Sequence, residues 1–173
     1  MSSGICSTGK VLVLGIGNLV MSDDGVGVRV VQRLQRKHHF PPWVEILDGG
    51  TLGLDLLPRL EGIERLIIVD AVETGEKPGT CVRLAGEQLP IALETKLSPH
   101  QMGLKDLLAV AELMGHSPRE MVLIGVQPGS IEMDTELTAD VEATVDILIS
   151  NVLNELQLWG IEPLPVRRKT QSN

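Results

Sequence analysis

Three apolar, β-branched runs constrain this chain more than anything else in it: Val11–Leu14, Val44–Leu47 and Leu66–Val69. Runs of this kind suit strands buried on both faces, the setting of a parallel sheet covered by helices. An aspartate lies past each run (Asp24, Asp48 and Asp70), and His100 begins a later helix-like segment. If the runs are neighbouring parallel strands, their carboxyl ends share one edge of the sheet. Open α/β sheets bind ligands at that edge. Carboxylates far apart in sequence are then expected close in space, with an imidazole nearby. The pattern points to metal or acid–base chemistry.

The rest of the chain alternates in the same way. Strands are predicted at Val11–Gly15, Trp43–Leu47, Arg65–Val69, Thr80–Leu84 and Val122–Val126. Between them, Gly25–Arg36 has Val26, Val30 and Leu34 at helical spacing, and Asp23 is placed to cap that helix. Arg29, Arg33 and Arg36 form another face, read as solvated. Thr51 opens a short helix, Leu52–Leu57, whose length Pro58 limits. Ser98-Pro99 precedes the amphipathic run His100–Met114, and Thr138 caps a long helix reaching about Leu158. Strands alternating with helices give an α/β fold, a mostly parallel sheet covered on both faces. At 173 residues, 43% of them hydrophobic, the chain is expected to form one domain with a core over about 11–160.

Composition excludes several functions. With 15 basic against 23 acidic residues the net charge is −8, which repels a phosphate backbone, so nucleic acid is not an expected partner. Aromatics are 2% of the chain, too few for a base-stacking surface. Cys6 and Cys81 form no CxxC pair and read as reduced thiols. Lys10 followed by Val11–Met21 has some look of a signal peptide, but Gly17, Asn18, Asp23 and Asp24 interrupt it. No apolar run approaches the roughly 20 residues of a transmembrane helix. A cytoplasmic protein with no membrane partner is expected.

Gly15-Ile16-Gly17-Asn18 after the first strand suggests a dinucleotide fold, with Asp48 as its acid after the second strand. Two features oppose it. Val20 stands where the third glycine belongs, and Asp23 and Asp24 occupy the helix start that would have to attract a pyrophosphate. No nucleotide is expected; the same geometry favours a cation. Asp70 ends a wholly apolar strand, where it is either a cap or a functional group. Asp48-Gly49-Gly50-Thr51 makes a tight turn at the same edge. Among the four histidines, His38, His39 and His116 lie in polar or turn-rich contexts, whereas His100 emerges in the first turn of a helix. One histidine with two carboxylates is a ligand set for zinc or another divalent ion and leaves positions open to water or substrate.

Four motifs in order, VLVLGIGNLVMSDDGVGV (Val11–Val28), EILDGGTL (Glu45–Leu52), LIIVDA (Leu66–Ala71) and SPHQMGLKD (Ser98–Asp106), resemble the hydrogenase maturation endopeptidases over roughly Val11 to Pro163. The resemblance implies a three-layer α/β/α sandwich around a twisted, five-stranded sheet. It also implies removal of a C-terminal extension from the [NiFe] hydrogenase large-subunit precursor after nickel insertion. By motif, Asp24, Asp70 and His100 would be the metal-contacting, catalytic residues. Asp48, with Gly49, Gly50 and Thr51, would contact the substrate. Asp24 stands where the family has Glu or Asp. Nickel would arrive with the substrate, with zinc or another divalent ion as the alternative at that site. A monomer is expected. Three other readings remain beside this one: a peptidase with a resident zinc, a non-catalytic chaperone that checks the metal of the immature large subunit, and the dinucleotide protein.

Overall fold

The computed structural model describes residues 9–90 and 99–165, and of 99–102 and 164–165 the backbone only. Strands β1 (Lys10–Ile16), β3 (Val44–Gly50), β4 (Ile63–Ala71), β5 (Cys81–Ala85) and β6 (Glu120–Val126) form one sheet in the order β3-β1-β4-β6-β5. All neighbours are parallel except β5 with β6. The three apolar runs therefore are adjacent strands, with β1 in the middle. Strand β2 (His38–His39) pairs separately with β7 (Leu164–Pro165).

Alternation along the central strands divides the core into two layers. Val11, Val13, Ile67, Val69, Val122 and Ile124 pack on one face against helix α1 (Val26–Lys37) and helix α5 (Val145–Leu158). Leu12, Leu14, Leu66, Ile68 and Leu123 pack on the other face with α2 (Leu57–Leu60) and α3 (Pro99–Leu113), which contributes Leu104, Leu107 and Ala111. The result is the expected α/β/α arrangement.

Four local expectations change. Asp23 does not cap α1: the cap position is Gly25, without a side-chain bond, after a 3₁₀ turn over Ser22–Gly25. Pro58 does not end the short helix but sits in the first turn of α2, after a 3₁₀ turn at Gly53–Leu56, where its missing N–H costs nothing. The long helix is two, α4 (Ala139–Glu142) and α5, separated where the buried Thr144 hydroxyl donates to Val141 O at 2.7 Å. The arginine face of α1 is not merely solvated. Arg29 donates to Thr135 O, and Arg33 pairs with Glu142 at 2.7 Å, tying α1 to the segment after β6.

Candidate active site

The glycines after β1 serve close packing. A Cβ on Gly27 would lie 2.0 Å from Val69 O, so the first turn of α1 rests directly on β4. Gly17 has φ +142°, and a Cβ there would lie 1.8 Å from Asp24 O. The loop after β1 thus folds tightly over the 22–25 turn, and its Asn18 N–H donates to Asp24 Oδ2 at 3.1 Å. Asp24 is buried in this turn, and the turn packs against β4.

Asp70 is fully buried near the end of β4, paired in register with Gly125 of β6. It lies on the same face as Ile68 and Val72, two residues to either side, which face the α2/α3 layer. On that side the backbones of Gly53 and Gly103 nearly touch: a Cβ on Gly103 would lie 3.1 Å from Gly53 Cα. That contact sets the first turn of α3 beside the loop after β3. His100 is in this turn, and its side chain lies outside the described residues.

Asp48 occupies a different position. It pairs with Gly15, whose open side faces Gly27 and Val31 of α1. The next residue, Gly49, faces Leu14 and Leu56 in the opposite layer. Asp48 therefore projects on the α1 side and Asp70 on the α3 side. The exposed Asp48 carboxylate accepts from Gly50 N at 3.0 Å and Gln32 Nε2 at 3.1 Å, and Gly50 takes φ +46°. Asp48, Gly50 and Thr51 line a cleft of about 210 Å³ with Gly17, Asn18, Leu19 and Val28. The sheet edge thus offers two buried carboxylates, of which Asp24 is bonded to Asn18 of the cleft lining. Among the described residues, no three His, Cys, Asp or Glu side chains converge in a way that holds a metal. A metal set at this edge would need His100 beside Asp24 and Asp70.

Asp23 is the residue whose place the sequence did not indicate. Its carboxylate is fully buried and accepts from Gly129 N, Ser130 N and Thr138 N at 2.8, 3.1 and 2.8 Å, and from Thr138 Oγ1 at 2.7 Å. The loop after β6 is held by it. Beside this loop, the buried Gln127 accepts from Thr74 N and Oγ1 and donates to Glu73. Both links join residues more than fifty positions apart, and no local spacing announces them.

Residues 28–155 match the family model described as hydrogenase maturation protease. The hydrogenase 2 maturation protease of Escherichia coli is 40% identical over 157 residues, covering 90% of this chain and 96% of that one. The hydrogenase expression/formation protein HupD of Rhodobacter capsulatus is 46% identical over 155 residues, 88% of this chain and 74% of that one. The solved hydrogenase maturating endopeptidase HybD of E. coli superposes with a TM-score of 0.86 at 40% identity, covering 90% of this chain and 97% of that one. The [NiFe] hydrogenase maturation protease HybD of Thermococcus kodakarensis gives 0.68 at 30% identity, covering 84% and 98%.

Proposed function

This chain belongs to the hydrogenase maturation protease family, and from that membership we propose that it removes the C-terminal extension of a [NiFe] hydrogenase large-subunit precursor once nickel is in place. As a member of the family it is a hydrolase, an endopeptidase of hydrogenase maturation. Among the described residues no helix is long and apolar enough to cross a membrane. In this reading the chain works as a cytoplasmic monomer on a protein substrate that brings its own nickel.

The observation that carries the reading is the burial of two acids, Asp24 and Asp70, at the carboxyl edge of the sheet, with Asp24 bonded to Asn18 of the cleft lining. The precursor's C-terminal segment lies along the cleft, against the Asp48–Thr51 turn. Its nickel, held by the precursor's own cysteines, meets Asp24, Asp70 and His100. An oxygen, oxygen, nitrogen set suits a divalent ion of intermediate softness and leaves coordination positions to the substrate. Contact with the metal fixes the scissile bond in register, so cleavage depends on metallation. Water then attacks the scissile carbonyl and yields its proton to a carboxylate, and the leaving amine takes a proton back.

The test is to incubate the protein with nickel-loaded and nickel-free precursor and weigh the products by intact mass spectrometry. Loss of a C-terminal peptide from the loaded form alone is the expected result. Cleavage of both forms removes the nickel gate. Binding without cleavage of either form replaces the peptidase by a metal-checking chaperone.

A further inference from the structure

The backbone that aims Asp24 is strained. Ser22, two residues before it, has φ +51° and is the one non-glycine residue at positive φ among the described residues. A residue with a Cβ is disfavoured there and keeps such a conformation only where its surroundings over-determine it. The hydrogen bonds that hold it come from a single loop. Ser22 N–H donates to Asp134 O at 2.8 Å, Ser22 Oγ to Glu136 O at 3.0 Å, and Asp23 N–H to Ser130 O at 3.1 Å. Asp134 N–H returns a bond to Val20 O at 3.1 Å.

The Asp23 carboxylate completes the attachment. Its partners are three backbone N–H groups and one hydroxyl, all able to donate, which suits a carboxylate that can only accept. They come from both ends of the loop, Gly129-Ser130 and Thr138, so one buried side chain gathers both ends. Asp24, the adjacent residue, directs its own carboxylate elsewhere, to Asn18 N–H.

We propose that Asp23 is a positioning residue: by fixing loop 129–138 as a template against the 22–25 turn, it holds Ser22 in its strained conformation and so sets where Asp24 meets the substrate. The inference rests on the peptidase reading, with Asp24 in the site. Such a role acts on the chemical step more than on binding of the precursor, because the Asp48–Thr51 side of the cleft is built by other elements.

The experiment measures kcat and KM for nickel-loaded precursor with the wild type, Asp23→Asn and Thr138→Val, together with Tm. Asp23→Asn places an amide donor against donors. Thr138→Val removes only the hydroxyl and keeps the shape and the N–H. The expected result for Asp23→Asn is a fall of roughly tenfold or more in kcat, with KM within about twofold, the signature of an interaction made in the transition state. Thr138→Val is expected to lose kcat in the same sense and by less. A lower Tm with wild-type kcat in either folded variant overturns the proposal, as does a rise in KM alone. If Asp23→Asn does not fold, Thr138→Val decides on the same criteria. A wild type that cleaves nothing refutes the peptidase reading and this inference with it. A wild type matched in kcat by both variants refutes the inference alone.

Discussion

Replacing Gly27 by alanine sets two effects of opposite sign against each other. Gly27 is the second residue of α1, and helix propensity alone favours alanine by about 1 kcal/mol. A Cβ there would lie 2.0 Å from Val69 O and 2.6 Å from Ile16 O. Real Cβ contacts essentially never fall under 3.0 Å, so relief from the 2.0 Å contact needs a separation of at least 1.0 Å (3.0 minus 2.0) between helix and sheet. Both opposing atoms are backbone, near the carboxyl ends of the adjacent strands β4 and β1, and neither can rotate away. Overpacking costs about 1–3 kcal/mol, and a collision with two backbones falls at the upper end. The net expectation is a loss of about 2 kcal/mol, or about 4–8 °C in Tm for a chain of this length. The same displacement moves the 22–25 turn that carries Asp24, and misplacement of about 1 Å costs about 10²-fold in rate. Urea and thermal unfolding measure the first effect, and precursor cleavage per folded molecule measures the second. A Gly27→Ala protein as stable as the wild type, or more so, refutes the reasoning, because propensity would then outweigh the close approach.

Further substitutions test other parts of the structure. His100→Ala is expected to abolish cleavage with an unchanged circular dichroism spectrum; full activity would remove His100 from the site. Arg83, on edge strand β5, holds the buried Glu155 of α5 through two guanidinium bonds. Arg83→Met is expected to destabilise by about 1–2 kcal/mol, less than for a fully buried pair because half of the arginine is in solvent; an unchanged urea midpoint would refute it. Burial pushes the Cys81 thiol above its ordinary 9.0, and the neighbouring Thr144 hydroxyl offsets this only in part. Alkylation proceeds through the thiolate, so at pH 8 the native thiol is expected to react more slowly than in urea and to speed up as pH rises past 9.0. By the same sign, the stabilising effect of the protonated thiol is lost as pH rises above 9.0, and equal native and unfolded rates at pH 8 would refute the shift.

The strands were legible because branched aliphatic runs have few other places to go. Val11–Leu14, Val44–Leu47 and Leu66–Val69 are neighbours in the sheet, in the parallel sense expected. Helices α1 and α3 also fall where their spacing puts them. What the chain hid is of one kind, namely partners supplied by distant loops. Asp23 has the composition of an N-cap and lies at the right place for one, yet its acceptors are used by Gly129, Ser130 and Thr138. Arg29 and Arg33 follow the spacing of a solvated face, and both reach the segment after β6. Asp48 and Asp70 share an edge but not a face. That difference is set by Gly49 packing on Leu14 and by alternation along β4, after the strand register is known. Local pattern reports which atoms face a core; it does not report which remote donor finds a buried carboxylate.

The strand order also governs when the edge can exist during folding. The pairing that spans the fewest residues, β1 with β3, already joins Val11 to Val44, and β4 waits for β6 to bring Val126 beside Ala71. Non-local pairing of this kind is slow, because chain entropy is lost before contacts repay it. The 22–25 turn receives its template only when the loop after β6 arrives, and α3 docks on a layer that β1 and β4 must first create. A chain emerging from the ribosome, or one trapped half-folded, therefore has its acids dispersed. Asp24 therefore takes up its place only with the long-range contacts from the loop after β6.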